Sequence, residues 1–314
     1  MKRKVLCLGI IVGDFLAKPV EDMPERGKLT LVEKTELHIG GCATNTGIVL
    51  KKLGVDVSIV GKVGNDNLGK FIINKLKEEG IDTEYIKISD KFTTSGTSVL
   101  VHSDGERSFI HSIGANADFD INDFDFSLLK NFSILHIAGP FLMPKFLKMG
   151  LTEILKEAKN GGIITCLDTV WDAFGNWLKG IENSLPYIDY LFTSFEEAKM
   201  IAKKEEKEDI CNFFLSNGVK NVCLKMGERG SYISNKNESY YFPALKVNVI
   251  DTTGAGDGYV AGFIKGITEN FEFKKCGLLA NIVGAKITTA IGTTAGIKNW
   301  EDLLKFAKEF GYEI

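Results

Sequence analysis

The residues best suited to chemistry lie late in the chain, in the segment from Asp251 to Gly258, which reads DTTGAGDG. An apolar stretch from Tyr259 to Ile267 follows and predicts a helix that begins at this segment. The free backbone N–H groups at a helix start bind anions, and glycine lets an anion approach the main chain. We therefore predict that Gly254, Ala255 and Gly256 bind a phosphoryl group in transit.

Asp257 stands one position beyond these amides, where a carboxylate is electrostatically unfavourable unless it has a task. Taking a proton from an attacking hydroxyl group is such a task. The alternative is helix capping, which Asp251, Thr252 or Thr253 could provide. Capping explains one residue but not the whole segment, so we interpret Asp257 as a general base.

A second cluster, Gly40 to Asn45, also lies between an extended segment and a predicted helix. Its paired glycines give access to the backbone, and Asn45 offers donors and acceptors that suit hydroxyl groups. A simple Gly-Gly turn with Asn45 as a helix cap is the alternative.

Several other classes of site are excluded or disfavoured. The chain has no Walker A segment, and a dinucleotide fingerprint would need glycine where Tyr259 stands. The six cysteines and four histidines lack metal-ligand spacing, which predicts reduced cysteines and no protein-built metal cage. A formal net charge of -3 with mixed signs disfavours nucleic acid and membrane surfaces as partners, leaving small molecules.

The chain also lacks the signals of a membrane or secreted protein. The apolar run from Val5 to Val12 is interrupted at Gly13-Asp14 without a cleavage site, so we interpret it as a buried first strand. No other apolar run approaches the roughly 20 residues of a membrane-spanning helix. We expect a cytoplasmic protein.

Short β-branched runs alternate with longer amphipathic stretches along most of the chain, which is typical of βα units on a parallel sheet. We therefore expect a three-layer α/β body with helices on both faces of the sheet. The predicted strands are Lys4–Val12, Val57–Val60, Ile134–Ile137, Ile163–Leu167, Tyr190–Thr193 and Val222–Lys225. The predicted helices are Ala43–Leu53, Asn67–Glu79, Pro144–Lys159 and Phe195–Lys203.

Two segments, Lys28 to Ile39 and Thr94 to Ile113, show strand patterns without an intervening helix. They predict a small antiparallel sheet, and the second contains an Asp-Gly turn within Ser103 to Glu106. We expect this sheet, formed by approximately residues 15–39 and 93–114, to be a lid inserted into a single domain that spans residues 1–314.

The two glycine clusters, in this order and about 210 residues apart, resemble the signatures of the ribokinase-like, or PfkB, family of carbohydrate kinases. Gly40 to Asn45 matches the early signature Gly-Gly-x-x-x-Asn, and Asp251 to Asp257 matches the late signature Asp-Thr-x-Gly-Ala-Gly-Asp. The resemblance spans nearly the whole chain. It implies a Rossmann-like body with a β lid, ATP and Mg²⁺ as cofactors, and phosphorylation of an alcohol group on a sugar or sugar-like metabolite. A monovalent cation such as K⁺ is a further candidate cofactor.

The resemblance also implies roles for particular residues. It implies that Asp14, Gly40, Gly41 and Asn45 bind substrate hydroxyl groups. Arg107, on the predicted lid hairpin, is a further substrate-binding candidate from its position alone. Asp14 could instead be a loop residue or cap, and Arg107 could be exposed surface. Asp168, at the end of a predicted strand, could border the phosphate path or only cap a loop.

On the nucleotide side, the resemblance implies that Lys225, Gly227, Gly230 and Thr252 contact ATP and that Asn281 lies near adenine. The alternatives are that the two glycines only turn a hairpin and that Asn281 is exposed. Ser194 is the last predicted cofactor-binding residue, and Glu197 is the predicted metal residue.

The family pattern near the metal is Asn-x-x-Glu, whereas this chain has Ser194-Phe195-Glu196-Glu197. Glu197 could act on Mg²⁺ through water, and Ser194 stands where the family has Asn. Acidic residues at a helix start also suit the helix dipole, so a structural role for Glu197 is the alternative.

Two rival functions remain: a nucleoside kinase, with Phe15 or Phe109 stacking on a base, and a non-catalytic sensor of nucleotide or sugar. The exposed edge of a lid sheet also suggests a homodimer formed through the lid, in keeping with the family resemblance.

Overall fold

The strands form two sheets in a computed structural model that describes residues 3–103 and 107–314. Within these residues the strands are, in chain order, β1 (Lys4–Gly9), β2 (Val12–Lys18), β3 (Lys34–Gly40), β4 (Asp56–Gly64), β5 (Ile86–Ser89), β6 (Gly96–Val101), β7 (Arg107–Ser112), β8 (Ile134–Ala138), β9 (Ile164–Asp168), β10 (Tyr190–Ser194), β11 (Asn221–Lys225), β12 (Ser231–Asn235) and β13 (Ser239–Phe242).

The large sheet has nine strands in the described residues, in the order β13-β12-β11-β10-β9-β8-β1-β4-β5. Its strands pair in parallel from β5 to β11, and β12 and β13 add antiparallel pairs at one edge. Val5, Leu6, Cys7 and Leu8 are fully buried, as expected for a central strand covered on both faces. The predicted mainly parallel sheet is thereby confirmed.

The helices of the described residues cover both faces of this sheet and follow the predicted pattern closely. They are α1 (Cys42–Lys52), α2 (Asn67–Glu78), α3 (Pro144–Met149), α4 (Leu151–Asn160), α5 (Leu178–Ile181), α6 (Phe195–Ala202), α7 (Lys207–Ser216), α8 (Ala255–Thr268), α9 (Phe273–Ile287) and α10 (Trp300–Glu309). The single helix predicted over Pro144 to Lys159 is wrong, because α3 and α4 are separate and meet at Gly150, where the backbone is least restricted.

The small sheet has the order β3-β2-β6-β7, and two of its three pairings are antiparallel. The pairing of β2 with β6 is parallel, so the small sheet is mixed and not purely antiparallel as predicted. The strand predicted from Lys28 to Ile39 is β3, which begins only at Lys34 and leaves residues 28–33 outside the sheet. The predicted Asp-Gly turn lies largely outside the described residues, since these exclude residues 104–106.

The first apolar run is divided between the two sheets, which corrects the prediction of one strand over Lys4 to Val12. β1 ends at Gly9, where a side chain would overlap the carbonyl oxygen of Ala138. β2 begins at Val12 in the small sheet, so the chain passes from one sheet to the other within three residues. This places Asp14 within a strand of the small sheet, so the alternative that it is a loop residue or cap is wrong.

Close packing of α8 against α9 positions the start of α8. A Cβ atom at Gly262 would lie 2.9 Å from the Cα of Ala280, and one at Gly258 would lie 2.6 Å from the side chain of Ile287. Glycine at these positions lets the two helix backbones approach each other. The glycine-rich segment before α8 is therefore held against a rigid pair of helices.

No helix in the described ranges has both the length and the apolar character needed to cross a bilayer. All six cysteines are free thiols, and only Cys42 is partly exposed. In the described part of the chain, His, Cys, Asp and Glu side chains do not gather in any group that could hold a metal ion.

Candidate active site

α8 begins at the turn that the sequence predicts to bind an anion, Gly254 to Asp257, which we call the anion-binding turn after that prediction; the structure corrects its cap. The N-cap is Gly254, and no side chain caps the helix, so the capping alternative for Asp251, Thr252 or Thr253 is wrong. Gly254 has a φ of 78°, and a side chain there would overlap the carbonyl oxygen of Thr293. Only glycine fits this position without strain.

The backbone amides of this turn differ in availability. The N–H of Ala255 donates to the carbonyl oxygen of Thr252 at 3.2 Å. For the N–H groups of Gly254, Gly256 and Asp257, no acceptor is found among the described residues. Three donors therefore remain open at a helix N-terminus, which is the arrangement that binds anions.

Asp257 lies in the first turn of α8 and joins the two glycine clusters. Its Oδ2 accepts a hydrogen bond of 2.8 Å from Nδ2 of Asn45, and its backbone carbonyl accepts one of 3.4 Å from Thr46. Burial raises the pKa of Asp257, although hydrogen bonds from Asn45 and Cys42 and the charge of Lys225 oppose this effect. A carboxylate with a raised pKa is a stronger proton acceptor, as a general base requires.

Asn45 is 4% exposed and has an unused acceptor. Its Nδ2 is bonded to Asp257, while its Oδ1 is buried without a partner among the described residues. Gly41 is the N-cap of α1 with a φ of 95°, so Asn45 does not cap this helix and that alternative is wrong. A buried amide oxygen without a partner is costly, and a ligand hydroxyl group could satisfy it.

Asp14 enters the site from β2 and lies directly against Gly40. A side chain at Gly40 would overlap the carboxylate of Asp14, so glycine leaves the space that this carboxylate occupies. Burial raises the pKa of Asp14 to about 6, opposed by a hydrogen bond from Thr97 and the charge of His38 and reinforced by Asp257. The structure thus brings Asp14, Gly40 and Asn45 together around Asp257.

Three polar residues of the small sheet lie beside Asp14 and were missed by sequence reasoning. Asp14 pairs with His38 on β3 and with Thr97 on β6, and Thr97 pairs with His111 on β7. The Thr97 hydroxyl lies 3.1 Å from Nδ1 of His111. Their alternation within strands was visible in the sequence, but the register that aligns them was not.

The two aromatic residues considered for base stacking lie on opposite faces of the small sheet. Phe109 is two residues from His111 and shares its face, whereas Phe15 is adjacent to Asp14 and points the other way. Phe109 is 59% exposed. Stacking of Phe15 on a base bound beside Asp14 is therefore ruled out by the direction of its side chain.

Lys225 and Asp168 form a buried ion pair on the other side of Asp257. The Nζ of Lys225 lies 2.6 Å from Oδ1 of Asp168, and a Cβ at Gly256 would lie 3.5 Å from the same Nζ. Burial raises the pKa of Asp168 against the opposing charge of Lys225. The pKa of Lys225 is also raised, because Asp168 and Glu197 outweigh the effect of burial. Lys225 is thus a positive charge held beside the anion-binding turn.

Glu197 and Ser194 form a capping box at the start of α6. The Oγ of Ser194 accepts from the N–H of Glu197, and Oε2 of Glu197 accepts from the N–H of Ser194, both at 3.2 Å. The same Oε2 accepts a hydrogen bond of 2.7 Å from Thr169. The described contacts of Glu197 all involve Oε2, so Oε1 is available to a water molecule on Mg²⁺, which usually keeps part of its hydration shell.

A cavity of about 330 Å³ lies beside the anion-binding turn, on the far side from Asp14. The predicted nucleotide residues Lys225, Gly227, Gly230, Thr252 and Asn281 all line it. Further lining residues that sequence reasoning missed are Glu228, Ala244, Leu245, Val247, Val249, Tyr259, Gly284, Ala285 and Thr288. The alternation of Leu245, Val247 and Val249 was the signal for an extended apolar wall.

Two alternatives for these cavity residues were also resolved. Asn281 is 8% exposed, so it is not a surface residue of its helix; it donates to the carbonyl oxygen of Pro243 at 2.8 Å. Gly227 and Gly230 do turn the hairpin between β11 and β12, and they line the cavity as well.

Arg107 is not exposed surface, which removes the alternative for this residue. Its side chain is 11% exposed and forms an ion pair of 2.5 Å with Asp251. The same guanidinium group donates to the hydroxyl of Thr253. The first residue of β7 is therefore bonded to the segment immediately before the anion-binding turn.

The pfkB family carbohydrate kinase profile matches residues 2–300 of this chain. An ATP-dependent 6-phosphofructokinase of Thermoanaerobacterium thermosaccharolyticum is 29% identical over 281 residues, which cover 87% of this chain and 84% of that protein. A 2-dehydro-3-deoxygluconokinase of Bacillus subtilis is 25% identical over 292 residues, which cover 90% of each chain.

The fold is also found in solved structures. The structure of Arabidopsis thaliana ribokinase with ribose and ATP matches with a TM-score of 0.86 at 23% identity, covering 98% of this chain and 99% of that one. The predicted ribokinase-like α/β fold is confirmed. Since the family profile spans nearly all of the sequence, the chain belongs to the pfkB family of carbohydrate kinases.

Proposed function

We propose that this carbohydrate kinase transfers the terminal phosphoryl group of ATP to a hydroxyl group of a sugar or sugar-like metabolite, with Asp257 as the general base. The observation that carries the proposal is the position of the Asp257 carboxylate. It lies in the first turn of α8, next to three open backbone N–H groups and bonded to Asn45. A base and an anion site within one helical turn can act together in phosphoryl transfer. The base takes the proton of the attacking hydroxyl group, and the anion site stabilises the phosphoryl group.

The acceptor sugar is proposed to bind between Asp14 and Asn45. Oδ1 of Asn45 accepts a hydrogen bond from one sugar hydroxyl group, and the carboxylate of Asp14 accepts from another. Gly40 and Gly41 keep side chains out of this space. The hydroxyl group to be phosphorylated then lies at Asp257, whose carboxylate takes its proton as the phosphoryl group arrives.

ATP is proposed to occupy the cavity of about 330 Å³ beside Lys225, with its phosphates directed toward the open amides. Lys225 and the open amides of Gly254, Gly256 and Asp257 stabilise the charge on the moving phosphoryl group, whereas the predicted amide of Ala255 is already bonded to Thr252. Mg²⁺, when bound with ATP, neutralises charge on the phosphate oxygens. Glu197, through Oε1 and a water molecule, is the residue that would hold it, and Ser194 fixes the orientation of Glu197.

A coupled assay of ATP consumption tests the proposal against pentoses, hexoses, sugar acids, sugar phosphates and nucleosides. We expect turnover with a sugar or sugar-like acceptor. A nucleoside acceptor is the second candidate, favoured by the exposed Phe109 on the face of Asp14. ATP binding without turnover on every acceptor would instead indicate a sensor. Repeating the assay in potassium chloride and in choline chloride tests the proposed activation by K⁺.

We propose that the small sheet acts as a lid over the acceptor, within one kinase domain that spans residues 1–314. The support is that β7 carries Arg107, whose side chain bonds Asp251 and Thr253 of the large-sheet body. Closure of such a lid would exclude water from the reacting groups. A cytoplasmic location is also proposed, in keeping with six free thiols and ATP as co-substrate.

A homodimer formed through the face of the small sheet opposite Asp14 is proposed as well. Phe15 pairs with Leu37 on one side and with Ser98 on the other, and Ser98 pairs with Ile110. Phe15, Leu37 and Ile110 therefore form one row, with exposed fractions of 47%, 37% and 55%. An exposed apolar row is typical of an interface. Light scattering should give twice the chain mass, and Phe15→Glu should give monomers; a monomeric wild type refutes this assembly.

A further inference from the structure

The ion pair between Arg107 and Asp251 connects two parts of the site that are separate in the sequence. Arg107 begins β7 of the small sheet, and Asp251 lies three residues before Gly254, the N-cap of α8. Both side chains are nearly buried, with exposed fractions of 11% and 5%. Burying two charges is costly unless their geometry is good, so this pair requires the small sheet to be seated on the body.

Asp251 organises the turn that carries the open amides. Its Oδ1 accepts from the N–H of Thr253 at 2.7 Å and from Arg107, and its Oδ2 accepts from the N–H of Gly292 at 2.9 Å. Burial would raise the pKa of Asp251, but the amides of Gly292 and Thr253, together with Arg107, lower it. Arg107 also bonds the hydroxyl of Thr253 directly. One guanidinium group thus holds both Asp251 and Thr253, in the segment that leads into the anion-binding turn.

We propose that Arg107 is a positioning residue that couples closure of the small sheet to assembly of the phosphoryl-binding turn. When the sheet is seated, Arg107 fixes Asp251 and Thr253, and the amides that follow them are held in the orientation that binds the phosphoryl group. Its positive charge also adds to the attraction for an anion at this turn. When the sheet is raised, the turn loses these two contacts, so phosphoryl transfer is favoured only with the acceptor enclosed. This inference rests on the proposed function.

The probe for this coupling is aluminium fluoride, which together with MgADP mimics a phosphoryl group in transfer. The dissociation constant of MgADP is measured by calorimetry with and without aluminium fluoride, for wild type and for Arg107→Met. We expect aluminium fluoride to tighten binding at least about tenfold in wild type and to lose most of this gain in Arg107→Met. Binding of MgADP alone should change less than about twofold, since Arg107 does not line the nucleotide cavity.

Lys34→Met is the matched control, because Lys34 is a cation of the same sheet that is 54% exposed and pairs with Glu36. In Lys34→Met, aluminium fluoride should tighten MgADP binding as much as in wild type. Arg107→Lys should give an intermediate gain, because one ammonium group does not reproduce both contacts of a guanidinium group. Hydrogen exchange of residues 250–256 in the MgADP complex should be faster in Arg107→Met than in wild type.

An equal gain in wild type and Arg107→Met would overturn the coupling. If Arg107→Met loses MgADP binding as well as the effect of aluminium fluoride, the coupling is also overturned, since Arg107 would then be needed only for the fold. If Arg107→Met does not fold, Arg107→Lys provides the test of the coupling. An effect of aluminium fluoride as large as in wild type would then overturn the coupling. If the wild type itself shows no gain, the proposed phosphoryl site fails, and the coupling falls with it.

Discussion

The acceptor side and the nucleotide side of the site differ in how completely their polar groups are bonded. On the nucleotide side, Asn281 uses both ends of its amide, with Pro243 and Ser231, and Lys225 is paired with Asp168. On the acceptor side, Oδ1 of Asn45 has no partner among the described residues, and the pKa of Asp14 is raised to about 6. Asn281 and Lys225 are thus held by partners within the protein, whereas Asn45 keeps an acceptor for a ligand. On the nucleotide side only the Tyr259 hydroxyl is buried without a partner among the described residues.

This difference indicates where specificity is decided. A site whose buried polar groups await a ligand rejects molecules that leave them unpaired. The nucleotide side needs only one ligand, so its groups can be bonded within the protein. The acceptor side should therefore discriminate between sugars, and substitutions there should change KM for the acceptor without changing KM for ATP.

The largest effect is expected at Asp257, where both sides meet. Asp257→Asn keeps the hydrogen bond geometry with Asn45 approximately but removes the proton acceptor. We expect kcat to fall about a hundredfold to ten-thousandfold, while the dissociation constant of MgATP stays within about threefold. Steady-state kinetics and calorimetry measure the two quantities.

Asp209→Asn, at an exposed position of α7, is the matched control and should have normal activity. Normal turnover of Asp257→Asn would show that another group accepts the proton.

The second largest effect is expected at Gly254, which belongs to the shared turn. Gly254→Ala adds a methyl group that overlaps the carbonyl oxygen of Thr293 at a φ of 78°. Displacement of the turn should lower kcat about a hundredfold or more, as loss of an oxyanion-binding donor does.

Gly162→Ala separates this contact from backbone strain, because Gly162 has a φ of 75° and no heavy atom within 4 Å of an added Cβ. It should lose only about 1 kcal/mol of stability and keep its activity. Equal losses of activity in both variants would contradict the role of the turn.

On the acceptor side, Asp14→Asn should raise KM for the sugar about tenfold or more and leave KM for ATP nearly unchanged. The ionised carboxylate accepts hydrogen bonds at both oxygens, and protonation turns one oxygen into a donor. In wild type, kcat/KM for the acceptor should therefore fall as pH decreases through about 6. This decline should be absent in Asp14→Asn. Its persistence there would assign the titration to another group.

The same substitution should stabilise the protein. The pKa of Asp14 is about 6 in the folded chain and 3.8 for the ordinary group, so the folded state binds more protons between these values. Its unfavourable contribution is fully present above pH 6 and is lost as pH falls below about 4. Asp14→Asn should raise Tm at pH 8 by a few degrees and much less at pH 4. A lower Tm at pH 8 would contradict the proposed charge burial.

The smallest effect is expected on the nucleotide side, at Asn281. Asn281→Ala removes two internal hydrogen bonds of the cavity wall, so KM for ATP should rise about threefold to tenfold with KM for the acceptor unchanged. Asn217→Ala, on an exposed turn, is the control. A larger change in KM for the acceptor than for ATP would remove the distinction between the two sides.

Much of the large sheet could be predicted from the sequence, because central parallel strands are continuous apolar runs and amphipathic helices repeat between them. The start of α8 was predictable for a similar reason, since glycines and an apolar stretch are local signals. The division of the first apolar run at Gly9 was not, because the carbonyl oxygen of Ala138 that excludes a side chain there belongs to a strand far along the chain.

Residue types within short segments were enough to predict the fold class, to show the family resemblance and to propose the base and the anion-binding turn. Tertiary structure alone decided that Asn45 bonds Asp257, that Asp14 lies in a row with His38 and Thr97, and that Arg107 reaches Asp251. These contacts join residues that are distant in the chain, and strand register and helix packing, which bring them together, are set by the whole core.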